Sequence, residues 1–503
     1  KGIPAFNQGE KEYELSVATA NLLYRFTRPE CVVQPETTEH VQYIVEQARD
    51  VGEDITVKCG GHSYTGFSTA DHGLLIDLKR MTAVKLQLSK DKTPTAVKVQ
   101  AGARWGDVYR TLINGSHRGY VINGGRCPSV GVSGFLLGGG LGPFTRSFGM
   151  GSDTVIEATI VTADGKKVTV GKDSPPGSRE AELFWALRGA GCGTFGVVTE
   201  FKMDVKKLKN KNVVAGRYLW TPTAGVSHHR TMQQILMADW PKEMTIDNNW
   251  MLDVKGGKGE MGIRFTIYYD GPKDEFDKLL DEKMTPQPLD GSLSPEDRVK
   301  LQLENADQEN LIKQLKRRSM PEPSTRFLYE SLVLMWDEEA RNSLPRPGDN
   351  AYQKYSSFCF RTDREEDARA MEEIIRIVTA QQTFFKDEFK TDNASFWVTF
   401  IHSGGKATTF SRTETAYPWR ECTFHTYITI KWTDKWLEQN ATGFLLRMKD
   451  ILKPYSMNGQ ASFINFSDAA IAKDHDVAYY GENSARARKV KSVWDKDNYF
   501  NWP

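Results

Sequence analysis

The spacing of apolar positions changes along the chain and divides it into two regions. In residues 1–205, short β-branched runs alternate with amphipathic stretches such as Thr38–Arg49, whose apolar side chains follow helical spacing. This alternation predicts an α+β or α/β unit. The basic run Lys206–Lys211 is typical of a solvated connector, and we place a boundary there.

Beyond this connector the pattern is that of long strands. Apolar and polar residues alternate with a period of two in the segments Asn249–Val254, Arg264–Tyr269, Tyr352–Phe360, Phe396–His402 and Cys422–Trp432. The alternation predicts an antiparallel sheet with one buried face. Residues 293–324 are polar and charged, which predicts a solvent-exposed helix with a Pro-rich end.

Composition narrows the class of protein. The 503 residues include 66 Lys plus Arg and 65 Asp plus Glu, a formal charge of +1. This balance gives no support for a nucleic-acid-binding or polybasic membrane protein. No stretch approaches the ~20 apolar residues that span a bilayer, so we expect no membrane crossing. The length suits a globular protein of two or more domains.

The cysteines and glycosylation sequons suggest a compartment. The six cysteines are too few for a disulfide scaffold, and none forms a CxxC pair. Whether Cys31 and Cys59 pair is left open. The sequence starts at Lys1 without Met, as after removal of a leader. We expect a secreted, monomeric glycoprotein, although sequons also arise by chance. The sequons are at Asn114, Asn393, Asn440 and Asn465.

Several familiar site motifs are missing or out of context. The sequence has no HExxH, no close His/Cys cluster and no P-loop lysine, so we expect no metal and no P-loop chemistry. A GxGxxG occurs at Gly191–Gly196, but Glu182–Arg188 before it is helix-like and Val197–Phe201 after it is strand-like. A dinucleotide fingerprint has the opposite order. The nicotinamide interpretation therefore fails, although so tight a backbone could approach another ligand.

Two glycine-rich segments carry more information. In Thr56–Tyr64 an apolar strand runs into Gly60 and Gly61, where inward-pointing amides can form a nest for an anion such as a pyrophosphate. In Gly124–Gly142 glycines alternate with apolar residues, as where backbone approaches something large and flat. The simpler interpretation is a turn region with His62 as a core histidine and Cys127 as a buried thiol. Together, however, the segments predict a large bound cofactor.

At these segments the sequence resembles the berberine-bridge-enzyme-like branch of the vanillyl-alcohol-oxidase flavoprotein superfamily, and within it the fungal oligosaccharide oxidases. Gly60–Tyr64 matches the flavin-linking histidine motif, and Arg126–Val132 matches the flavin-linking cysteine motif. The matches run from about residue 28 to the C-terminus. Further matching segments are Glu182–Gly189, Phe195–Thr199, Phe463–Asp468, Tyr479–Asn483 and Asp497–Phe500.

The resemblance implies an α+β, two-domain vanillyl-alcohol-oxidase (PCMH-type) flavoprotein fold. Residues 1–206 and 460–503 would form a split FAD-binding domain, and residues 207–459 a substrate domain built on an antiparallel sheet. FAD would be attached covalently through His62 and Cys127. The other implied cofactor contacts are Cys59, Gly60, Gly61, Ser63, Tyr64, Gly131, Val132, Gly134, Val198 and Asn465.

The chain departs from the family pattern at two positions. Phe135 stands where the family usually has His, and Cys192 replaces a common Gly in the loop on the adenine side. Either change could alter packing beside the cofactor, and neither removes a linking residue. Because Asn465 lies in a segment resembling a flavin-contacting one, we expect its sequon to remain unglycosylated.

On the substrate side, the resemblance places Tyr427 near the catalytic base and Val130 beside the pocket where dioxygen meets the flavin. Lys431 or Arg420 could supply positive charge to lower the pKa of Tyr427. The candidate substrate contacts are Tyr64, Trp397 and His425, the first two as stacking platforms for a sugar ring. The simpler interpretation is that these aromatic residues are core and that the strand face carrying His425 and Tyr427 meets solvent.

The implied reaction is oxidation of the anomeric hydroxyl of an oligosaccharide to a lactone, with reduction of dioxygen to hydrogen peroxide. Within the same fold, the alternative is an oxidase, dehydrogenase or oxidative cyclase that acts on a secondary-metabolite alcohol. From another class, a flavin-loaded binding or storage protein remains open, because a bound cofactor alone does not establish turnover.

Overall fold

The computed structural model describes residues 2–257, 259–290, 292–337, 350–471 and 474–501. Within these ranges the strands form three sheets. The strands are β1 Ala5–Phe6, β2 Cys31–Val33, β3 Ile55–Lys58, β4 Leu74–Asp77, β5 Val84–Leu88, β6 Pro94–Gln100, β7 Tyr120–Ile122, β8 Val155–Val161, β9 Lys167–Gly171, β10 Val197–Lys207, β11 Asn212–Trp220, β12 Met244–Asp253, β13 Glu260–Tyr269, β14 Met320–Pro323, β15 Tyr352–Phe360, β16 Ala394–His402 and β17 Phe424–Trp432.

Helices cover the outer faces of the sheets and connect their strands. The longer ones are Lys11–Val17, Thr38–Val51, Trp105–Asn114, Val132–Leu137, Arg179–Ala186, His229–Met237, Lys273–Lys283, Pro295–Arg318, Glu365–Glu388, Glu438–Leu452, His475–Tyr480 and Ser484–Trp494. Shorter helical segments include Thr145–Phe148 and a continuous stretch formed by Ser324–Arg326, the π-helix Phe327–Ser331 and Leu332–Met335.

The first sheet positions the first glycine-rich segment. Its order is β1-β2-β4-β3, with β2 and β3 parallel to β4 and β1 antiparallel to β2. The predicted helix is present as Thr38–Val51: the Thr37 hydroxyl accepts from the amide of His40, and Gly52 ends the helix at φ 73°. Strand β3 then leads directly into Gly60 and Gly61.

The second sheet is antiparallel, in the order β5-β6-β10-β8-β9, with β7 also paired to β10. The predicted connector is shorter than expected. Lys206 and Lys207 are the last residues of β10, because β7 continues the ladder as far as Tyr120 opposite Lys207. Only residues 208–211 lie between β10 and β11. Consecutive lysines at the end of a strand resemble a linker in sequence.

The third sheet is the large antiparallel sheet expected from the period-two pattern. Its order is β14-β11-β13-β12-β16-β17-β15. The five predicted strands are present, with bounds that move by a few residues at most, except that β12 begins at Met244 and β13 at Glu260. The Pro-rich end of the exposed helix forms β14, which pairs with β11.

The simpler interpretation, in which the face of β17 that carries His425 and Tyr427 meets solvent, is wrong. Phe424, Ile428 and Trp432 enter one apolar core, while His425 and Tyr427 on the other face are 1% and 3% exposed. This second face packs against the apolar core of the first two sheets. A strand buried between two cores still alternates between apolar and polar residues when one core is entirely apolar and the other is partly polar.

The apolar residues form two main clusters. One combines residues before position 216 and after position 456 with the inner face of the third sheet, and the other lies between that sheet and the helices Glu365–Glu388 and Glu438–Leu452. The division at 206/207 and 459/460 stays a prediction. Among the described residues, no helix is long and apolar enough to cross a membrane.

Candidate functional site

A cavity of about 830 Å³ lies where the two glycine-rich segments meet the third sheet. Segments far apart in sequence contribute to its lining, including the C-terminal segment Phe463–Asp468. The predicted site residues in the lining are Cys59, Gly60, Gly61, His62, Ser63, Tyr64, Cys127, Val130, Gly131, Gly134, Val198, Tyr427 and Asn465.

Three predicted site residues lie elsewhere. Val132 begins the helix Val132–Leu137 and is fully buried in the core. Trp397 is half-buried, with the Lys431 ammonium 4.7 Å from the centre of its ring. His425 is buried and does not line the cavity. The placement of these residues gives no support to a cofactor contact by Val132 or a sugar contact by Trp397 or His425.

His425 instead belongs to a buried polar group. Its Nδ1 lies 2.7 Å from the Ser403 hydroxyl, and its Nε2 is hydrogen-bonded to the Tyr417 hydroxyl. Burial, with the positive charge of Arg126, lowers the pKa of His425 to about 3. Its ring is therefore neutral, and both of its nitrogens have partners within the protein.

The expectation of no close His/Cys cluster is wrong for the folded chain. Cys359, Cys422 and His425 lie with their ligand atoms within 4.8 Å of one another. The cause is strand pairing: Cys359 on β15 faces His425 on β17, and Cys422 lies just before β17. Sequence spacing alone could not reveal this, because the two cysteines are far apart along the chain.

The two predicted linking residues share one hydroxyl. The Nε2 atom of His62 and the Sγ atom of Cys127 each lie 3.1 Å from Oγ of Ser129. Burial, with the nearby charge of Arg104, lowers the pKa of His62 to about 4. At neutral pH its imidazole is therefore uncharged and keeps a nucleophilic lone pair.

The glycines explain why the two segments can approach so closely. A Cβ at Gly60 would lie 2.4 Å from the amide nitrogen of Gly131, and a Cβ at Gly131 would lie 2.3 Å from Sγ of Cys59. A Cβ at Gly134, by contrast, would meet no protein atom within 4 Å. The segments thus touch backbone to backbone and leave open space beside Gly134. This cradle fits the flat ring system of a flavin, with His62 and Cys127 at its edge. We call Gly60–Tyr64 together with Cys127–Gly134 the loop wall.

Aromatic rings cover the opposite side of the cavity. The Tyr427 ring lies 4.4 Å from the Phe466 ring and 6.0 Å from the Tyr64 ring. Tyr64 stacks on Tyr355 of β15 at 3.9 Å, so Tyr355 occupies one of its faces. We call Ile401, Tyr427, Phe463 and Phe466 the sheet wall, and all four line the cavity. Of these four residues, only Tyr427 was predicted to be a site residue. The motif Phe463–Asp468 was the available sequence signal for the two phenylalanines.

The cations expected near Tyr427 are used elsewhere. Arg420 makes a bidentate ion pair with Asp153, at 2.8 and 2.9 Å, and both side chains are almost fully buried. Lys431 covers Trp397. Neither Arg420 nor Lys431 lines the cavity. The suggestion that one of them lowers the pKa of Tyr427 has no support from this placement.

Asp468 is a lining carboxylate that sequence reasoning did not assign to the site. Its Oδ2 accepts from the Ser356 hydroxyl at 2.7 Å and lies 3.3 Å from the Lys449 ammonium, while Oδ1 accepts from the amide of Ala470. A carboxylate with both oxygens engaged anchors the C-terminal segment to β15 and is poorly placed to accept a substrate proton.

Two other features of the lining bear on the predictions. The Asn465 amide donates to the carbonyl of Phe135 at 3.0 Å inside the cavity, whereas the other three sequon asparagines are exposed. The GxGxxG lies between the helix Arg179–Ala186 and β10, the order opposite to a dinucleotide fingerprint, and Cys192, Gly193 and Gly196 line the cavity. All six cysteines are free thiols, including Cys31 and Cys59.

Comparison with known proteins agrees with this geometry. The protein-family model described as FAD binding domain matches residues 29–171. The family model described as berberine and berberine like matches residues 462–503. A carbohydrate oxidase of Microdochium nivale is 26% identical over 527 residues, which cover 100% of this chain and 92% of that protein. The chain thus has the FAD-binding domain and the berberine-like C-terminal segment found in the berberine-bridge-enzyme-like proteins. It is therefore an FAD-linked oxidoreductase, with the flavin-binding fold that its sequence motifs indicated.

Relatives within the berberine-bridge-enzyme-like family act on different kinds of molecule. The chitooligosaccharide oxidase of Gibberella zeae is 38% identical over 204 residues, 40% of this chain and 39% of that protein. The tetrahydroberberine oxidase of Argemone mexicana is 36% identical over 183 residues, 35% of this chain and 31% of that protein. Similarity to these proteins therefore leaves the substrate open.

Solved structures of the family share the fold. Berberine bridge enzyme from Eschscholzia californica superposes with a TM-score of 0.76 at 18% identity, over 100% of this chain and 96% of that one. The grass pollen allergen Phl p 4, described as having glucose dehydrogenase activity, gives 0.75 at 18% identity over 99% and 95%. An isoleucine-to-valine variant of Phl p 4, described as a glucose oxidase, gives 0.74 at 18% identity with the same coverage. The two-domain vanillyl-alcohol-oxidase fold is thus confirmed.

Proposed function

We propose that the protein is an oxidase that converts the anomeric hydroxyl of an oligosaccharide to a lactone and reduces dioxygen to hydrogen peroxide. The observation that carries this proposal is the convergence of His62, Cys127, Val130 and Tyr427 on one cavity. A linking pair, a residue beside the oxygen path and a hydroxyl base are the parts that such a reaction needs.

In this proposal FAD is attached at His62 and Cys127, in a domain made of residues 1–206 and 460–503. When bound, the flavin accepts a hydride from the substrate and returns the electrons to dioxygen. The loop wall supplies what the ring requires from the protein: two nucleophiles, close backbone, and open space beside Gly134. The domain 207–459 supplies the sheet wall.

Tyr427 is the proposed general base. Tyr427 lines the cavity, and its ring lies 6.0 Å from the ring of Tyr64 in the loop wall. An unperturbed tyrosine titrates near ~10, which makes a stable phenolate costly at neutral pH. Proton removal must therefore be concerted with departure of the hydride, because loss of both leaves a neutral carbonyl in place of an alkoxide.

Val130 is proposed to leave room for dioxygen. It is half-buried, lines the cavity, and follows Cys127 by three residues. A neighbour of the same fold, Phl p 4, is described as a glucose dehydrogenase, and its isoleucine-to-valine variant as a glucose oxidase. One methylene is enough to fill space that a diatomic molecule needs in a closely packed interior. Valine at this position favours the oxidase.

We also propose a secreted, monomeric glycoprotein. The exposed sequon asparagines are Asn114, Asn393 and Asn440, whereas Asn465 faces the cavity. Intact mass before and after enzymatic deglycosylation of protein secreted by a eukaryotic host tests this. Occupancy at the first three sites and none at Asn465 is expected, and glycan at Asn465 would contradict the placement of that residue in the flavin site.

A substrate panel with peroxide detection tests the proposed reaction. The panel contains cello- and chito-oligosaccharides, their reduced alditol forms, aromatic alcohols and benzylisoquinoline alkaloids. We expect peroxide only with sugars that have a free anomeric carbon, and none with the alditols, which lack it. Equal turnover of an oligosaccharide and its alditol would overturn oxidation at the anomeric carbon.

A second candidate is oxidation or cyclisation of a secondary-metabolite alcohol. It is favoured by the apolar character of Ile401, Phe463 and Phe466 in the sheet wall and of Trp336 nearby. The similarity to tetrahydroberberine oxidase points in the same direction. Turnover of the alkaloids in the panel, without turnover of sugars, would establish this candidate. A chain that holds flavin but turns over nothing under these conditions would indicate a binding protein.

A further inference from the structure

We propose that Ser129 is the positioning residue for covalent attachment of the flavin: its hydroxyl relays the thiol proton of Cys127 to the imidazole of His62. The inference deepens the proposed function and rests on the proposed attachment at these two residues. It starts from one geometric fact, that Oγ of Ser129 is 3.1 Å from both Sγ of Cys127 and Nε2 of His62.

The arrangement places a proton donor, a relay and an acceptor in one chain. A thiol is a poor nucleophile until its proton is removed. The Cys127 side chain is 6% exposed, so bulk water cannot readily take that proton. The hydroxyl of Ser129 can accept it and donate its own proton onward, because a serine both accepts and donates hydrogen bonds. The neutral His62 ring has the lone pair to receive it.

The same contact also orients the histidine. With Nε2 held toward Ser129, the Nδ1 edge of the ring is turned away from the serine. Ser129 therefore presents Nδ1 of His62 to the flavin. Once Nδ1 has used its lone pair in that bond and Nε2 has lost its proton, Nε2 holds the lone pair that receives the thiol proton of Cys127 through Ser129. The bond to the sulfur has a simple balance: one S–H and one ring C–H bond are lost, one S–C bond forms, and dioxygen accepts two electrons and two protons as hydrogen peroxide.

The backbone contact between the two glycine segments maintains this bridge. A Cβ at Gly60 would lie 3.3 Å from the carbonyl oxygen of Ser129, in addition to its clash with Gly131. A side chain there would force the loops apart and lengthen the Ser129–His62 contact. The bridge is thus available only because residues 60 and 131 lack side chains.

The test compares Ser129→Ala and Ser129→Thr with wild type. The full chain is produced under riboflavin limitation and then supplied with FAD in air. The readout is the flavin that stays with the chain after denaturation, followed over time by fluorescence on denaturing gels and by peptide mass at His62 and Cys127. Ser147→Ala is the matched control, because it removes a serine hydroxyl that lies outside the cavity lining and donates to the carbonyl of Lys242.

We expect Ser129→Ala to slow attachment by about a hundredfold, the size of a lost acid–base group. Ser129→Thr, which keeps a hydroxyl, should restore attachment to within about tenfold of wild type, and Ser147→Ala should match wild type. Attachment by Ser129→Ala at the wild-type rate would overturn the relay. A wild-type chain that releases all its flavin on denaturation would instead overturn the proposed attachment itself. If Ser129→Ala is slow but Ser129→Thr is equally slow, the hydroxyl is not the active feature and the inference is wrong.

Discussion

The loop wall and the sheet wall enclose the same cavity but are built differently. In the loop wall the chain offers backbone, two nucleophiles and contacts so close that a methyl group at Gly60 or Gly131 would not fit. In the sheet wall it offers aromatic side chains whose ring centres lie 4.4 and 5.2 Å apart, from a strand and a C-terminal segment far apart in sequence. A wall fixed by backbone contact tolerates little change, whereas a wall of side chains can be altered residue by residue. The first suits a constant cofactor and the second a variable substrate.

The largest effect should come from removing the base in the sheet wall. Tyr427→Phe should slow reduction of the flavin by substrate about 10²–10⁴-fold, the usual contribution of a general base, while the covalent flavin and the fold remain. Anaerobic stopped-flow absorbance measures the rate. Tyr355→Phe is the control, because it removes a neighbouring hydroxyl but keeps the ring that supports Tyr64. Reduction of Tyr427→Phe at wild-type speed would remove Tyr427 from the mechanism.

A methyl group in the loop wall should damage the fold itself. Gly131→Ala places a Cβ 2.3 Å from Sγ of Cys59, and overpacking of this kind costs about 1–3 kcal/mol of unfolding free energy. Gly134→Ala, with no protein atom within 4 Å, should leave that free energy within about 0.5 kcal/mol. Denaturant unfolding of both variants makes the comparison. Equal stability of the two would show that the close backbone contact at Gly131 does not limit which side chains the loop wall accommodates.

Val130 lies in the loop wall but should affect only the reaction of the reduced flavin with dioxygen. Val130→Ile adds one methylene beside the proposed oxygen path, and we expect reoxidation by dioxygen to slow by about tenfold or more, with reduction by sugar almost unchanged. Stopped-flow mixing of the reduced protein with oxygenated buffer gives the rate. If reduction and reoxidation slow together, the residue acts on substrate binding or on the flavin position and not as an oxygen gate.

The smallest effect on catalysis should follow from His425→Gln. His425 lies beside the buried Cys359 and Cys422, away from the cavity lining, so the KM for sugar should stay within about twofold. Its effect should appear in stability at acid pH. The folded pKa of about 3 is below the ordinary 6.5, so unfolding takes up a proton as pH falls below 6.5.

Wild type should therefore lose unfolding free energy with decreasing pH more steeply than His425→Gln, by up to about 1.4 kcal/mol per pH unit between 6.5 and 4. Parallel denaturant titrations across that range measure the difference. An increased KM with unchanged acid stability would return His425 to the substrate site.

The sequence revealed the loop wall because its information is local. Each linking residue has glycines within a few positions of it along the chain. A short motif therefore identifies both the turn and the nucleophile. Their convergence on Ser129 depends on a tertiary contact and could not be read from spacing. The strand containing Tyr427 was also predictable, since alternation of apolar and polar residues marks a strand whichever surroundings its faces meet.

The sheet wall was predicted poorly because its residues come together only through tertiary contacts. Whether a face of β17 meets solvent depends on which elements pack against that face. The apolar core of the other two sheets covers the face that carries Tyr427. His425 shares a face with Tyr427 but is enclosed by Ser403 and Tyr417, so sharing a face does not mean sharing the cavity. The same limit applies to Trp397, which Lys431 covers, and to Arg420, whose partner Asp153 is 267 residues away.

The central claim is that the loop wall holds a flavin through both His62 and Cys127. Proteolysis of the denatured full chain, followed by mass spectrometry, tests it directly. We expect one species in which the peptides containing His62 and Cys127 are joined through a single FAD, and one-link species from His62→Ala and Cys127→Ala. Release of all the flavin on denaturation, or retention of covalent flavin by the double variant, would contradict it.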